Sequence, residues 1–142
     1  MDDPFDLQRF VAAQAPVMPQ VLRELAGGRK QTHWMWFVFP QLRGLGSSAM
    51  ATRYGITSLA EARAYLAHPL LGARLREGVA LVSAVRERSA AEILGAVDAQ
   101  KFRSCLTLFA VADPAETCFR AALDRFFNGE ADGRTLELLG GA

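Results

Sequence analysis

Three residues of this chain carry the side chains best suited to acid–base or nucleophilic chemistry: His33, Lys101 and Ser104. His33 stands directly before an unbroken apolar run, Trp34 to Phe39. A neutral imidazole there can act as a general base, and the same position also suits a half-buried histidine bonded to backbone. Lys101, Ser104 and Thr107 follow one another at intervals of three, with Arg103 and Cys105 between them. A partly buried lysine needs either an internal carboxylate, such as Asp98, or an anionic ligand, because an isolated buried charge is costly. Ser104 or Cys105 becomes a nucleophile only with a base in reach, and His33 is the candidate for that role.

A second set lies just beyond the aromatic run, in the stretch "PQLRGLGSSAMATRY". Gly44, Gly46, Ser47 and Ser48 make a turn with helix-capping residues after it, and backbone N–H groups at such a start can hold an anion. Gln41, Arg43, Arg53 and Tyr54 flank the turn, and the two arginines can add charge-assisted hydrogen bonds to the same ligand. Turns, caps and surface arginines without a ligand are the commoner outcome of such a pattern. "GLGSSA" formally fits a dinucleotide fingerprint, but no strand leads directly into it and Ala64, Tyr65 and Leu66 stand where an acidic ribose partner belongs. No lysine–hydroxyl pair follows the glycines, so it is not a Walker loop either. If the aromatic run is helical, Trp34 and Trp36 point to roughly opposite sides, so at most one of them faces a ligand while the other fills core. The two histidines are far apart and no cysteine or carboxylate cluster accompanies them, which gives no support for a metal site.

The elements that must position these residues read as helices. Ser58 with Glu61 and Ser89 with Glu92 have capping-box spacing. Asp113 before Pro114, with Glu116 beyond, predicts a third start, and Asp3 before Pro4 a fourth. Leu71, Leu75, Val79 and Val82 predict one face of a long amphipathic helix after Pro69. Phe102, Leu106 and Phe109 predict another, half-buried, and Phe119, Leu123, Phe126 and Phe127 a last one that closes at Asn128 or Gly129. The aromatic run itself predicts a short, nearly enclosed helix capped by Thr32, since no second strand-like run is available to pair with it. The fold class that follows is all-α, a single, compact multihelical domain over residues 1–142.

The totals agree with that reading. A chain of 142 residues, 51% hydrophobic and 22% charged, can build one core. A net charge of +1 with scattered basic residues argues against nucleic-acid binding. The apolar run is far shorter than a membrane span, and the acidic start does not resemble a signal peptide, so a cytoplasmic location is expected. Two cysteines with no close pairing, Cys105 and Cys118, are expected to be reduced thiols.

The segments "DPFDLQRFVAAQ", "ELAGGRKQTHWMWFVFPQLRGLGSSAMATRYGI", "EARAYLAHPLLGARL", "ILGAVDAQKFRSCLTLF" and "FFNGEADGRTLELL" together resemble the bacterial domain-of-unknown-function family 1810 across almost the whole chain. Its members are sometimes labelled calpastatin, but calpastatin is long and largely disordered, which this composition is not. The resemblance implies a multihelical fold with central buried helices and no particular activity. The positions that match its pattern are His33, Trp34, Trp36, Pro40, Gln41, Gly44, Gly46, Ser48 and Tyr54, then Lys101, Ser104, Thr107 and Phe109. The chain departs from it at Met18, where a tyrosine is expected, and at Cys105, where a serine is expected.

Two functions are compatible with these patterns. One is a small enzyme or enzyme-like domain that binds an anionic nucleotide or ADP-ribose-like ligand between the Gln31 to Ser48 segment and the Asp98 to Phe109 helix, with no resident cofactor. The other is a non-catalytic protein-interaction domain whose aromatic run is only core.

Overall fold

Ten helices make up the regular structure among the described residues, 2–140 of a computed structural model. They are α1 (Gln8–Gln14), α2 (Met18–Ala26), α3 (Met35–Val38), α4 (Ala49–Arg53), α5 (Leu59–Ala67), α6 (Leu71–Ala84), α7 (Ala90–Leu94), α8 (Ala96–Ala112), α9 (Thr117–Phe127) and α10 (Gly133–Leu138). The fold is all-α. One contiguous apolar core draws on almost every helix.

The longest helix, α8, is the axis of the molecule. It packs against α5, α7, α9 and α10, and every residue from Ser104 to Ala110 is buried. The half-buried helix expected from the spacing of its phenylalanines is therefore enclosed along its middle. Its hydroxyls make this possible, because Ser104 Oγ donates to the Gln100 carbonyl at 3.2 Å and Thr107 Oγ1 to that of Arg103 at 2.8 Å. The long helix predicted after Pro69 is α6, with Leu71, Leu75, Val79 and Val82 buried against α2, α5 and α9. Gly78 lets α6 approach the Phe39 ring, where an added Cβ would meet ring carbons at 3.1 Å.

The start signals differ in how literally they act. Ser89 and Glu92 form a complete capping box at α7. Ser58 Oγ accepts from the Glu61 N–H at 3.1 Å, but the Glu61 side chain does not return to Ser58 and binds Thr57 and Arg9 instead. Asp3 accepts from the N–H groups of Leu7 and Gln8, although a turn intervenes and α1 begins only at Gln8. The start expected at Asp113 moves to Thr117, because the Asp113 carbonyl closes a turn onto the Glu116 N–H first. Asn128 ends α9 in the left-handed conformation, φ 55°. His68, the helix-entry residue that its place before Pro69 predicts, caps α6: its Nδ1 accepts from the N–H groups of Leu70 and Leu71 at 3.1 and 3.2 Å.

Candidate functional site

The aromatic run folds as the short helix α3, buried at Met35, Phe37 and Val38. Thr32 does not cap it. The Thr32 hydroxyl donates instead to Glu24 Oε2 at 2.6 Å, and Trp34 holds the capping position without a side-chain bond. Glu24 gathers this segment. Its buried carboxylate also accepts from the N–H groups of Gln31 and Thr32, from the Trp34 indole at 3.0 Å and from Gln20. Burial by itself would raise this carboxyl, but the hydrogen bonds from the Thr32 side chain, the Gln31 and Thr32 backbone and Gln20 outweigh it and hold the pKa at about 2.

Trp34 is thereby core, 1% exposed, while Trp36 is half-buried. Each indole carries a lysine ammonium over its face, Lys30 at 5.0 Å from the Trp34 ring centroid and Lys101 at 5.6 Å from that of Trp36. Both lysines share Asp98, with Lys30 the nearer at 3.0 Å and Lys101 at 3.8 Å. His33 is exposed, and its side chain makes no hydrogen bond among the described residues. Trp36, Lys101, Gln41 and Tyr54 line one small hollow of about 10 Å³, room for about one water.

Beyond Pro40 the chain turns outward and returns. The N–H of Arg43 donates to the Ile56 carbonyl at 2.8 Å and that of Ile56 to the Gln41 carbonyl at 3.0 Å, an isolated parallel bridge. This bridge closes the excursion that contains Gly44, Gly46, Ser47, Ser48 and α4. Gly44 adopts φ +105°, and Gly55 lies so close to Arg43 that an added Cβ would sit 2.7 Å from its Cβ. Ser48 Oγ caps α4 by accepting from the Ala51 N–H, and Ser47 is exposed beside it. The excursion places Arg43 and Arg53 on the wall of an open cleft of about 380 Å³.

Four residues of that cleft were not legible as site residues: Asp6, Arg9, Thr57 and Glu61. Arg9 spends every donor internally. Its Nε donates to the Arg53 carbonyl, its terminal nitrogens to the carbonyls of Phe5, Asp6 and Gly55, and Nη2 also to Glu61 Oε2 at 2.8 Å. Glu61 Oε1 accepts from the N–H and hydroxyl of Thr57. The Arg9–Glu61 pair is enclosed, at 9% and 1% side-chain exposure. By contrast, Arg43 uses only Nε, toward the Thr52 carbonyl at 3.0 Å, and the Arg53 guanidinium makes no hydrogen bond among the described residues while it lies over the Tyr54 ring.

Arg103, Ser104 and Thr107 go elsewhere. Arg103 donates to the carbonyls of Glu130 and Ala131, and Thr107 Oγ1 accepts the Asp132 N–H, so these residues tie α8 to the segment before α10. Cys105 is buried and its thiol is pushed well up by desolvation. Both cysteines are free. No group of three or more metal-ligating side chains occurs among the described residues, and no described helix is long and apolar enough to cross a membrane.

The fold and this arrangement define a family as well as a shape. The chain belongs to the family described as "Protein of unknown function (DUF1810)", whose model matches residues 4–139. Among solved structures it is similar to the conserved hypothetical protein Rv1873 from Mycobacterium tuberculosis, at 58% identity and a TM-score of 0.96, over 97% of this chain and 99% of that one. The comparison with curated proteins found no match.

Proposed function

We propose that the domain binds an anionic small molecule of the nucleotide or ADP-ribose-like class, with its anionic part in the cleft at Arg43 and Arg53. The observation that carries the reading is the contrast among the three arginines. Arg9 is neutralised by Glu61 and fully hydrogen-bonded, so it builds the cleft, whereas the terminal nitrogens of Arg43 and Arg53 make no hydrogen bond among the described residues. The volume of about 380 Å³ falls within the ~300–1,000 Å³ of small-molecule sites. Gln41 and Tyr54, at the two ends of the bridged excursion, also line the hollow with Trp36 of α3 and Lys101 of α8, the neighbouring place for an aromatic ring.

The reading is one of binding before catalysis. The Ser104 hydroxyl is buried on its own helix and the Cys105 thiol is held protonated, so neither is prepared as a nucleophile. The large exposed apolar side chains, Leu70, Val97 and Leu138, come from different elements, as on ordinary surfaces.

A thermal-shift screen of the purified protein with AMP, ribose 5-phosphate, NAD and ADP-ribose tests this reading. A ligand at a hundredfold excess over its dissociation constant stabilises the fold by ~2.7 kcal/mol. The shift is expected to vanish in the Arg43→Ala/Arg53→Ala double variant and to persist in His33→Ala. Lys101→Ala reports whether the hollow takes part. Absence of any shift with all four compounds would contradict the proposal.

A further inference from the structure

We infer that the anion taken by the cleft is the terminal group of a phosphomonoester, so that the ligand is a nucleoside monophosphate or a sugar phosphate and not a pyrophosphate-linked dinucleotide. The inference rests on the anion-binding reading and narrows it. Charge is the first argument. Five charged side chains line the cleft: Arg9, Arg43, Arg53, Asp6 and Glu61. Arg9 and Glu61 cancel at 2.8 Å inside the wall, which leaves the guanidinium groups of Arg43 and Arg53, whose terminal nitrogens make no hydrogen bond among the described residues, together with the exposed Asp6. A phosphomonoester concentrates nearly two negative charges and three acceptor oxygens on one phosphorus atom, and two guanidinium forks match it. A phosphate inside a pyrophosphate bridge offers only two free oxygens and one charge.

Size and the position of the carboxylate are the second and third arguments. A cleft of about 380 Å³ lies near the lower end of ligand sites and has room for a phosphate with one sugar or nucleoside. Asp6 would repel a bare phosphate, yet a carboxylate is the usual acceptor for sugar hydroxyls. It therefore fits a ligand that is anionic at one end and hydroxylated at the other. Arg9 is a positioning residue in this scheme: by holding the carbonyls of Phe5, Asp6, Arg53 and Gly55 it fixes the Asp6 wall against the Arg53 wall.

Isothermal titration of the intact protein with AMP, ribose 5-phosphate, inorganic phosphate and NAD tests the inference. AMP or ribose 5-phosphate is expected to bind at least about tenfold more tightly than NAD, and Arg43→Ala and Arg53→Ala are each expected to weaken that binding by about tenfold or more. Asp6→Asn, which keeps the left-handed backbone that Asp6 adopts at φ 52°, is expected to strengthen inorganic phosphate and to weaken ribose 5-phosphate relative to it. Binding of NAD as tight as that of AMP, lost in the arginine variants, would overturn the inference and leave the anion-binding reading standing. Monophosphate binding untouched by both arginine variants, or no binding by any of the four, would overturn both.

Discussion

Glu24 shows how a single residue organises the segment that sequence patterns draw attention to. It collects donors from Gln20, Gln31, Thr32 and Trp34, so the entry to α3 is hung on one carboxylate and not on a Thr32 cap. Its pKa is lowered from 4.5 to about 2, so the folded state favours the charged form. The stability it contributes is present above the unfolded value of 4.5 and disappears as the pH falls from there toward about 2. Glu24→Gln is expected to cost about 2 kcal/mol at pH 7 by urea denaturation, since an amide nitrogen cannot accept. The difference between the two proteins should shrink as the pH is lowered from 5 toward 3. Arg9 plays the same part for the cleft. Arg9→Met leaves Glu61 buried without its counter-charge and is expected to cost ~3–5 kcal/mol. Glu24 was not singled out from sequence, although it follows Met18 and Val21 at intervals of three on the buried face of α2. Nor was Arg9, whose partners Arg53, Gly55 and Glu61 lie 44 to 52 positions away.

At the scale of elements, local signals predicted what local contacts decide. The capping box at Ser89, the left-handed close at Asn128 and the apolar faces of α6 and α9 follow from neighbours within one or two turns. The start of α9 slipped from Asp113 to Thr117 because the Asp113 carbonyl is taken by a turn onto the Glu116 N–H, and the Glu116 side chain goes to Arg76 on α6. The burial of α8 was underestimated for a related reason: its hydroxyls satisfy themselves on the preceding turn, so polar residue type did not mean a solvent face. Two substitutions test the elements around the cleft. His68→Ala removes the acceptor for the Leu70 and Leu71 N–H groups and is expected to destabilise by about 1 kcal/mol, with His68→Asn recovering part of it. Gly55→Ala forces a Cβ to within 2.7 Å of Arg43 and 2.9 Å of the Ala51 carbonyl, so it is expected to cost ~1–3 kcal/mol and also to weaken ligand binding by displacing Arg43.

Across the whole molecule, the candidate residues separate into two neighbouring sites and one structural cluster. Trp36, Gln41, Tyr54 and Lys101 meet in the small hollow, and Arg43 and Arg53 meet in the larger cleft. Arg103 and Thr107 instead tie α8 to the segment before α10, and Ser104 bonds within α8 itself. The all-α architecture was readable because helix periodicity and caps are short-range. The split of the site was not, since it depends on the Leu42–Ile56 bridge that folds residues 43 to 55 outward. The most direct test of the central claim is a titration of isotopically labelled protein with AMP, followed through backbone amide signals. The cleft assignment predicts progressive shifts at Asp6, Arg43, Arg53, Gly55 and Thr57, with Arg103 and Thr107 unmoved. Shifts confined to His33, Trp36 and Lys101, or no shifts at millimolar AMP, would contradict it.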